Sequence, residues 1–442
     1  MTPLPTEMGP SRWRRLRDAV SNPRVLGATT LGFASGLPFN LSQGTLQAWM
    51  SEAGVDLKSI GLLTLVSMPY TFKFLWAPVL DRFALPWLGR RRGWITLFQL
   101  LLALTIAWVA FQQPSTGLQA FAVGGFLIAL FSASQDIVID AWRTDTLRPE
   151  ERGLGSTATQ LGWRTAAIVS GGLALVLAGN AGWQTTWLLL AALTLAGIVL
   201  TWYAPEPERV VRPPSSLALA ITGPWQEFFS RPGACSLLAL IVLYKFGDAF
   251  ALTLNTAFLI KGAGFTVAEV GAVAKTVNLV ATLTGTVFGG VLFVYLGLLR
   301  SLLVFGLAQA VTNLLYAWLA TVGHSFPVMI LAVGVDNFAG GMGATAFGAL
   351  VMALCDVRFS AAQFALLSAL SAVARTFLGP LAAVLVDGGR FSGTLLGQVW
   401  LVVDLPALGW AKFFVVTFFT ALPGIALVWW QRTRLRALDP AA

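Results

Sequence analysis

The sequence predicts an all-α integral membrane protein, a bundle of twelve transmembrane helices arranged as two six-helix halves. Of its 442 residues, 56% are hydrophobic and only 11% are charged, whereas soluble domains carry about 25% charged residues. The apolar residues fall in repeated runs of about 20, the length that crosses a bilayer as a helix. Because these runs extend over the whole chain, an N-terminal signal peptide does not explain them.

The predicted spans divide the chain into three parts. The first six spans are residues 25–50, 60–80, 95–111, 118–141, 155–178 and 184–203, and the last six are 234–258, 267–294, 299–322, 326–354, 361–386 and 413–430. Residues 204–233 contain several prolines and charges of both signs, which is typical of a linker. We therefore expect an N-terminal half over 1–203, a cytoplasmic linker over 204–233 and a C-terminal half over 234–442.

The stretch 388–412 does not fit the span pattern. Its apolar part is short and is interrupted by Asp404 and Pro406. We interpret it as a periplasmic interfacial segment rather than a thirteenth span.

The net charge of +9 comes from arginines that cluster at alternate ends of successive spans, as in the runs 12–17, 90–92 and 432–436. This bias places both termini in the cytoplasm. It predicts contact with membrane lipid headgroups, and no nucleic-acid partner is expected because no binding motif accompanies the charge.

The sequence gives no reason to expect a disulfide, a metal site, a cofactor or ATP hydrolysis. Cys235 and Cys355 map to cytoplasmic ends of helices, where a disulfide is not favoured. His324 is the only histidine and lies near a predicted periplasmic turn. No metal site, cofactor or phosphate-binding loop is predicted, which excludes an ATP-driven pump on this chain.

Ionisable residues inside the spans are the main functional signal. Holding such a group in a span costs roughly 2.5–3.5 kcal/mol, so each is a functional hypothesis. Arg164 follows Asp145 by 19 positions and Arg375 follows Asp356 by the same 19, which supports two related halves. Both arginines lie in the fifth span of their half and suit bidentate recognition of a carboxylate.

Other polar residues inside the spans extend the candidate substrate site. Gln43 and Gln47 share one face after a kink at Gly36-Leu37-Pro38, and we expect that face to point inward. The predicted substrate-binding residues are Arg164, Arg375, Lys245, Gln43, Gln47, Gln135, Lys275 and Asn278. For Lys275 and Asn278, which share a face of span eight, a simple interhelical contact is the alternative.

Proton coupling is assigned to a carboxylate because the single histidine is peripheral. Asp248 is the first candidate, and Asp136 and Asp336 follow. Lys245 precedes Asp248 by three positions, so the two also suit a purely structural ion pair. If an anionic ligand takes the lysine, Asp248 loses its partner and accepts a proton more readily.

The chain resembles the major facilitator superfamily and, within it, the AmpG family of muropeptide permeases. Asp81-Arg82 and the later run GRRRGW (89–94) match the superfamily's loop between spans two and three. Closer matches are LGFASGLP (31–38), GTLQAWM (44–50), FKFLW (72–76), SASQD (132–136), APEP (204–207), IVLYKFGDAFA (241–251), GGMG (340–343) and FALLSALSAV (364–373). These strings cover most of the chain, and the family accounts for the long loop after Arg82.

The resemblance implies proton-coupled import of N-acetylglucosaminyl-anhydro-N-acetylmuramyl peptides across a bacterial inner membrane, for peptidoglycan recycling and with a link to beta-lactamase induction. It also implies a cytoplasmic gate made by Asp81, Arg82, Arg90, Asp140, Arg143 and Asp145. We expect a monomeric transporter and not an enzyme. The alternatives are a related transporter of another amphiphilic anion such as acetyl-CoA, an integral-membrane enzyme acting on lipid-linked sugars, and a non-transporting receptor or scaffold.

Overall fold

The structure, a computed structural model, describes residues 22–55, 66, 68–85, 89–114, 117–206, 213–266, 269–395 and 398–438. Within these ranges the side chains of a few residues, including Gln43, Lys275 and Arg375, lie outside the described part.

The first half of the chain is helical wherever it is described. Its α-helices are α1 (Pro23–Asn40), α2 (Leu46–Glu52), α3 (Met68–Phe72), α4 (Ala77–Arg82), α5 (Arg92–Val109), α6 (Leu118–Thr146), α7 (Arg152–Ala167), α8 (Ala174–Ala181) and α9 (Trp183–Tyr203). Short 3₁₀ turns cover Lys73–Leu75 and Pro149–Glu151, and π-helical segments cover Leu41–Thr45 and Ile168–Leu173.

The second half is helical apart from one pair of strands. Its elements are α10 (Leu217–Ser230), α11 (Ala234–Thr253), α12 (Asn255–Ala257), α13 (Lys275–Val322), α14 (Phe326–Leu354), α15 (Ser360–Asp387), β1 (Gly389–Leu395), β2 (Gln398–Leu405), α16 (Gly409–Trp430) and α17 (Arg432–Ala437), with π-helical segments at Phe258–Gly262 and Val270–Ala274.

Eight segments of the described residues are long and apolar enough to cross a membrane. They are Arg92–Val109, Leu118–Thr146, Pro149–Ala181, Trp183–Tyr203, Ala234–Gly262, Thr276–Val322, Phe326–Leu354 and Gly409–Trp430. The segment Thr276–Val322 is two helices joined at Gly297, whose φ of 70° requires glycine, and it holds predicted spans eight and nine. Predicted span eleven is α15, span one is α1 with α2, and part of span two lies outside the described residues.

The chain divides by its contacts into two compact units. Unit 1 consists of Met1–Tyr70 and Phe83–Val211, and unit 2 consists of Thr71–Arg82 and Arg212–Ala442. The core of unit 1 contains the stacked rings of Trp49 and Trp183, whose centroids are 5.5 Å apart. The core of unit 2 is built on an aromatic cluster that includes Phe258, Tyr316 and Phe414.

Helices α1 and α7 of unit 1 pack backbone against backbone. A Cβ added at Gly32 would overlap the carbonyl oxygen of Thr159, and one added at Gly162 would overlap the carbonyl oxygen of Thr29. In lipid, where no hydrophobic force drives helices together, such close approach maximises van der Waals contact. Glycine is therefore required at both positions.

The two π-helical segments of unit 1 continue this contact toward the other end of the helices. The Thr45 hydroxyl, in Leu41–Thr45, donates a hydrogen bond to the carbonyl oxygen of Ser170, in Ile168–Leu173. Each π-helical turn takes one residue more than an α-helical turn. The hydrogen bond from Thr45 to Ser170 therefore joins the two helices where each has a wider, π-helical turn.

Two elements were absent from the sequence-based prediction. The stretch 388–412, for which no secondary structure was predicted, contains an antiparallel pair of strands, with Gly389 opposite Leu405 and Leu395 opposite Gln398. The linker contains α10, whose N-cap Ser216 accepts a hydrogen bond from the backbone N–H of Leu219 at 3.1 Å. Both were missed because each is too short to show the length signal that identifies a span.

Candidate functional site

The predicted cation Arg164 lies on α7 and is half-buried in a membrane-spanning segment. In the described part of the chain it has no carboxylate within ion-pair distance. Its environment therefore leaves a fixed positive charge available to an anion. The side chain of its counterpart Arg375 lies outside the described residues, as do those of Gln43 and Lys275.

The carboxylate Asp136 and the amide Gln135 of α6 both contact α1. The Ser35 hydroxyl donates a 2.7 Å hydrogen bond to Asp136 Oδ1, and Gln135 Nε2 donates to the carbonyl oxygen of Ala34 at 2.9 Å. Gln135 is fully buried, and its Oε1 has no hydrogen-bond partner among the described residues. Gln47, on α2, is half-buried.

Lys245 and Asp248 form the ion pair that their spacing on α11 predicts. Their Nζ and Oδ2 atoms are 3.5 Å apart, and neither side chain is fully buried. The Lys245 ammonium also lies 5.5 Å from the centroid of the Phe347 ring. A pair this loosely held is open to competition from a ligand anion.

Asp336 of α14 is buried and receives hydrogen bonds from neutral donors. Thr312 Oγ1 donates at 2.7 Å and Tyr316 Oη at 3.2 Å. Asn255 Nδ2 in turn donates to the Tyr316 hydroxyl at 3.0 Å. No cation pairs with Asp336 in the described part of the chain, so an ionised Asp336 bears the full cost of an uncompensated charge.

The predicted residue Asn278 links two helices of unit 2. Its Nδ2 donates a 2.7 Å hydrogen bond to Asn337 Oδ1, and Asn337 Nδ2 donates to the carbonyl oxygen of Val333 at 2.8 Å. The amide pair joins α13 to α14, which is the interhelical contact left open from the sequence.

The predicted gate residues fall in two separate clusters. In unit 2, the buried Asp81 of α4 accepts hydrogen bonds from the backbone N–H groups of Ala361 and Ala362, at 3.3 Å and 2.8 Å. These groups are at the N-terminus of α15, where the helix dipole favours a negative charge. Arg82 is half-buried next to it on α4.

In unit 1, the gate cluster centres on Arg91, a residue for which the sequence suggested only a topological role. Arg91 Nε lies 2.8 Å from Asp145 Oδ2, and Arg91 is fully buried. Asp140 and Arg143 pair with each other one turn earlier on α6, and Arg90 is half-buried beside Arg91. Because three arginines follow one another at 90–92, the sequence did not show which of them is buried.

The APEP and GRRRGW strings meet in unit 1. Arg92 pairs with Glu206 at 3.3 Å and donates to the carbonyl oxygen of Ala204, while Trp142 Nε1 donates to that of Pro205 at 2.9 Å. Burial raises the pKa of the Glu206 carboxyl above its usual value, and the nearby Arg92 opposes that shift. The end of α9 is thereby fixed to the start of α5.

Comparison with known proteins identifies the class. The family model for the Major Facilitator Superfamily matches residues 28–358, and the chain belongs to that superfamily of transporters. The solved structure of the superfamily transporter FucP in its outward conformation is similar, with a TM-score of 0.67 and 16% identity over 93% of this chain and 99% of that one. The human organic anion transporter MFSD10 gives a TM-score of 0.59 at 19% identity, over 95% of this chain and 100% of that one.

Sequence relatives narrow the family further. The chain is 47% identical over 407 residues to the anhydromuropeptide permease of Escherichia coli (strain K12), covering 92% of this chain and 79% of that one. It is 29% identical to the putative transporter AmpG 4 of Rickettsia conorii, over 93% of this chain and 97% of that one. The predicted fold class and family are confirmed: the chain is a multi-pass membrane transporter of the AmpG family, with a small-molecule substrate, and is not an enzyme.

Removing the Arg91 guanidinium tests the buried ion pair of unit 1. We expect Arg91→Ala to lower the free energy of unfolding by about 3–5 kcal/mol, because it removes one member of a buried ion pair. Arg358→Ala, which removes the 58%-exposed partner of Asp356, is expected to cost less than about 1 kcal/mol. Thermal unfolding of the detergent-purified protein measures both.

The double variant Arg91→Met with Asp145→Leu separates pair loss from general damage to the loop. It is expected to recover most of the stability, since an apolar pair of similar volume avoids the desolvation cost. If the double variant is as unstable as Arg91→Ala, the breaking of the Arg91–Asp145 pair is not the cause.

Proposed function

We propose that this protein imports anhydromuropeptides across the bacterial inner membrane by alternating access, driven by protons that move in the same direction. The substrate class comes from the 47% identical permease of Escherichia coli. The observation that carries the assignment here is Arg164, a half-buried intramembrane cation without an acidic partner in the described chain.

The chemistry of Arg164 fits a peptide-bearing sugar. A muropeptide has carboxylates on its peptide, whereas the bare disaccharide keeps only the single carboxyl of its lactyl group, and a guanidinium binds a carboxylate through two parallel hydrogen bonds. An unpaired intramembrane charge is costly, and an anionic ligand supplies the missing partner. We propose the same role for Arg375 because it has the same spacing after a loop aspartate.

The remaining predicted substrate residues are polar groups that suit a sugar. We propose that Gln43, Gln47 and Gln135 serve the N-terminal part of the site, and that Lys245, Lys275 and Asn278 serve the C-terminal part. The free Oε1 of the buried Gln135 supports this for unit 1, since a buried acceptor without a partner is costly.

Uptake into proteoliposomes tests the substrate and the Arg164 role together. Arg164→Leu is expected to weaken binding of a peptide-bearing muropeptide about tenfold, because a hydrogen bond to a charged group contributes ~1.5–3 kcal/mol. Binding of the same disaccharide with its lactyl carboxyl group amidated, which has no carboxylate, is expected to stay unchanged. Arg300→Leu, an exposed arginine between spans eight and nine, is the matched control.

Three results would redirect this proposal. Equal loss for both ligands in Arg164→Leu contradicts the carboxylate role. If the unmodified protein takes up acetyl-CoA and not muropeptide, the substrate is the alternative anion. If it binds muropeptide or acetyl-CoA but takes up neither, the protein is a receptor and not a transporter.

We propose that proton coupling depends on Asp248, with Asp136 and Asp336 as the further carboxylates. Asp248 is held by Lys245 at 3.5 Å, and a ligand carboxylate that draws Lys245 away leaves Asp248 without its cation. The acid then takes up a proton, so ligand and proton bind together, as symport requires. Asp336, bonded only to the neutral donors Thr312 and Tyr316 among the described residues, is suited to holding a proton within the span.

Replacing the carboxylate by an amide removes the proton site and keeps its shape. Asp248→Asn is expected to abolish accumulation driven by a proton gradient while exchange of labelled for unlabelled ligand continues at a similar rate. The exposed Asp387→Asn, at the end of α15, serves as the control. Normal accumulation by Asp248→Asn, with loss in Asp336→Asn or Asp136→Asn, reassigns the role to that residue.

We propose that the charged clusters at α4 and α6 form the cytoplasmic gate. The contribution of Asp81, Arg82, Arg90, Asp140, Arg143 and Asp145 is supported by the bonds of Asp81 to α15 in unit 2 and of Asp145 to Arg91 in unit 1. The Asp81 carboxylate is stabilised by the N-terminus of α15, and this contact is lost when α15 moves away.

Asp81→Asn tests the gate because it removes the charge and keeps the size of the side chain. The variant is expected to favour inward-open conformers and so to lower the reactivity of cysteines introduced on the periplasmic side. Asp387→Asn is again the control. Unchanged periplasmic accessibility in Asp81→Asn rules out a latch at this position.

The same proposal includes the arrangement in the membrane. Both termini are assigned to the cytoplasm on the arginine distribution, the transporter acts as a monomer among bilayer lipids, and residues 1–203 and 234–442 are its two halves joined by the linker 204–233.

A further inference from the structure

The linker helix α10 presents an apolar stripe that the described residues of unit 2 leave exposed. Leu217, Ile221, Trp225 and Phe229 recur every four residues and so lie along one side of the helix. Each is 42% to 49% exposed, and the rings of Trp225 and Phe229 stack in parallel with centroids 6.2 Å apart. The neighbouring side of the helix is also exposed and holds the polar Thr222 and Gln226 together with Leu219. An exposed tryptophan and phenylalanine next to a polar side are typical of a helix lying in a membrane interface.

The side of α10 next to the stripe is fixed firmly to the bundle. Phe228 is buried, and Gly223 lies so close to the Phe359 ring that an added Cβ would meet it at 2.5 Å. Glu227 binds Arg231 through two 2.8 Å hydrogen bonds and accepts a third, of 2.6 Å, from Gln363 at the start of α15. The stripe therefore has a fixed position relative to the helices of unit 2.

That position is at the end of a membrane span. α10 ends at Ser230, and α11, which begins the span Ala234–Gly262, starts four residues later. A chain of three residues reaches at most about 10 Å. The 29-residue span is longer than the hydrocarbon core requires, so its first turn lies at the level of the lipid headgroups. The stripe is thus continuous with the lipid-facing surface of the bundle.

An apolar cleft opens beneath the stripe. It is a shallow groove, open along one side, and is bordered by Trp225 and Phe229 of α10, Leu238 of α11, and Leu366 and Leu367 of α15. Gln363, a polar side chain in its wall, is already satisfied: its Nε2 donates to Pro224 and Glu227, and its Oε1 accepts from the backbone N–H of Asp356 at 2.6 Å. The wall therefore offers nothing to a polar ligand and suits a hydrocarbon chain.

We propose that α10 lies in the membrane interface as an anchor for the linker, and that the cleft holds an acyl chain of a glycerophospholipid from the same leaflet. The stripe inserts its aromatic rings at the boundary between headgroups and acyl chains, and the cleft continues this apolar surface between α10, α11 and α15. The site does not depend on the transported substrate.

Fluorescence of single labelled cysteines tests the stripe. Cys235→Ser and Cys355→Ser provide the background, Ile221→Cys and Gln226→Cys place an environment-sensitive dye on the apolar and polar sides of α10, and the host is a vesicle of phosphatidylethanolamine and phosphatidylglycerol. The dye at Ile221→Cys is expected to emit at shorter wavelength and to be quenched, at least roughly twofold more than at Gln226→Cys, by lipids carrying a spin label on the acyl chain.

Lipids with a photoreactive group on the acyl chain test the cleft. Crosslinking to the peptide containing Trp225 and Phe229 is expected to fall severalfold in Leu238→Trp, which fills the cleft. It is expected to remain in Leu307→Trp, an exposed apolar position on α13. Quenching at Ile221→Cys in the Leu238→Trp background shows that α10 is still folded against the bundle.

Two outcomes overturn the proposal. Equal emission and quenching at the two dye positions places the stripe outside the bilayer. Shielding of Ile221→Cys that appears only when several copies share a vesicle, and not in nanodiscs holding one copy, assigns the stripe to a second protein molecule. Undiminished crosslinking in Leu238→Trp retains the anchor and removes the acyl-chain site.

Discussion

The structure depends on how each charged side chain is compensated within the membrane, where there is no water to solvate it. An ion taken out of water is stable only when an opposite charge and good hydrogen bonds replace the lost solvation. Arg91 and Asp145 meet that condition inside the protein, and Lys245 and Asp248 meet it only in part, because their contact is 3.5 Å long and neither side chain is fully buried. Arg164 and Asp336 do not meet it with any oppositely charged group in the described chain. The first lacks an anion and the second lacks a cation, and under the proposed function an anionic solute and a proton would supply what each lacks.

The spans were predictable because their signal is local. Length and apolar composition fix a transmembrane helix whatever its neighbours are, and the predicted spans six and ten agree with α9 and α14 to within one residue at each end. The i, i+3 pairing of Lys245 and Asp248 was predictable for the same reason. In both cases the interacting groups lie within one helix.

Contacts between helices were not predictable from one sequence. The sequence shows that Asp336 has no cation within a turn of its own helix, but not that Thr312 and Tyr316 of α13 would donate to it. The sequence likewise did not show that Arg91, and not Arg90, would pair with Asp145. The sequence analysis named Asp145 as a gate residue without giving it a basic partner. That missing partner was the available sign that one of the neighbouring arginines would be buried beside it. The hairpin at 389–405 and the helix α10 were missed because elements outside the bilayer carry no comparable length constraint.

The facing π-helical segments of unit 1 also constrain how the chain tolerates changes in length. Each π-helical turn takes one residue more than an α-helical turn, so deleting one residue from Leu41–Thr45 to leave an α-helical turn keeps the direction of everything after it, including Gln47 and Trp49. The same deletion in the α-helical part of α1 would instead rotate the far end of the span by about 100°, and Trp49 would leave its stack with Trp183. The π-helical segment is therefore where this span best tolerates the loss of one residue, although the carbonyl of Ser170 then loses Thr45 as its donor.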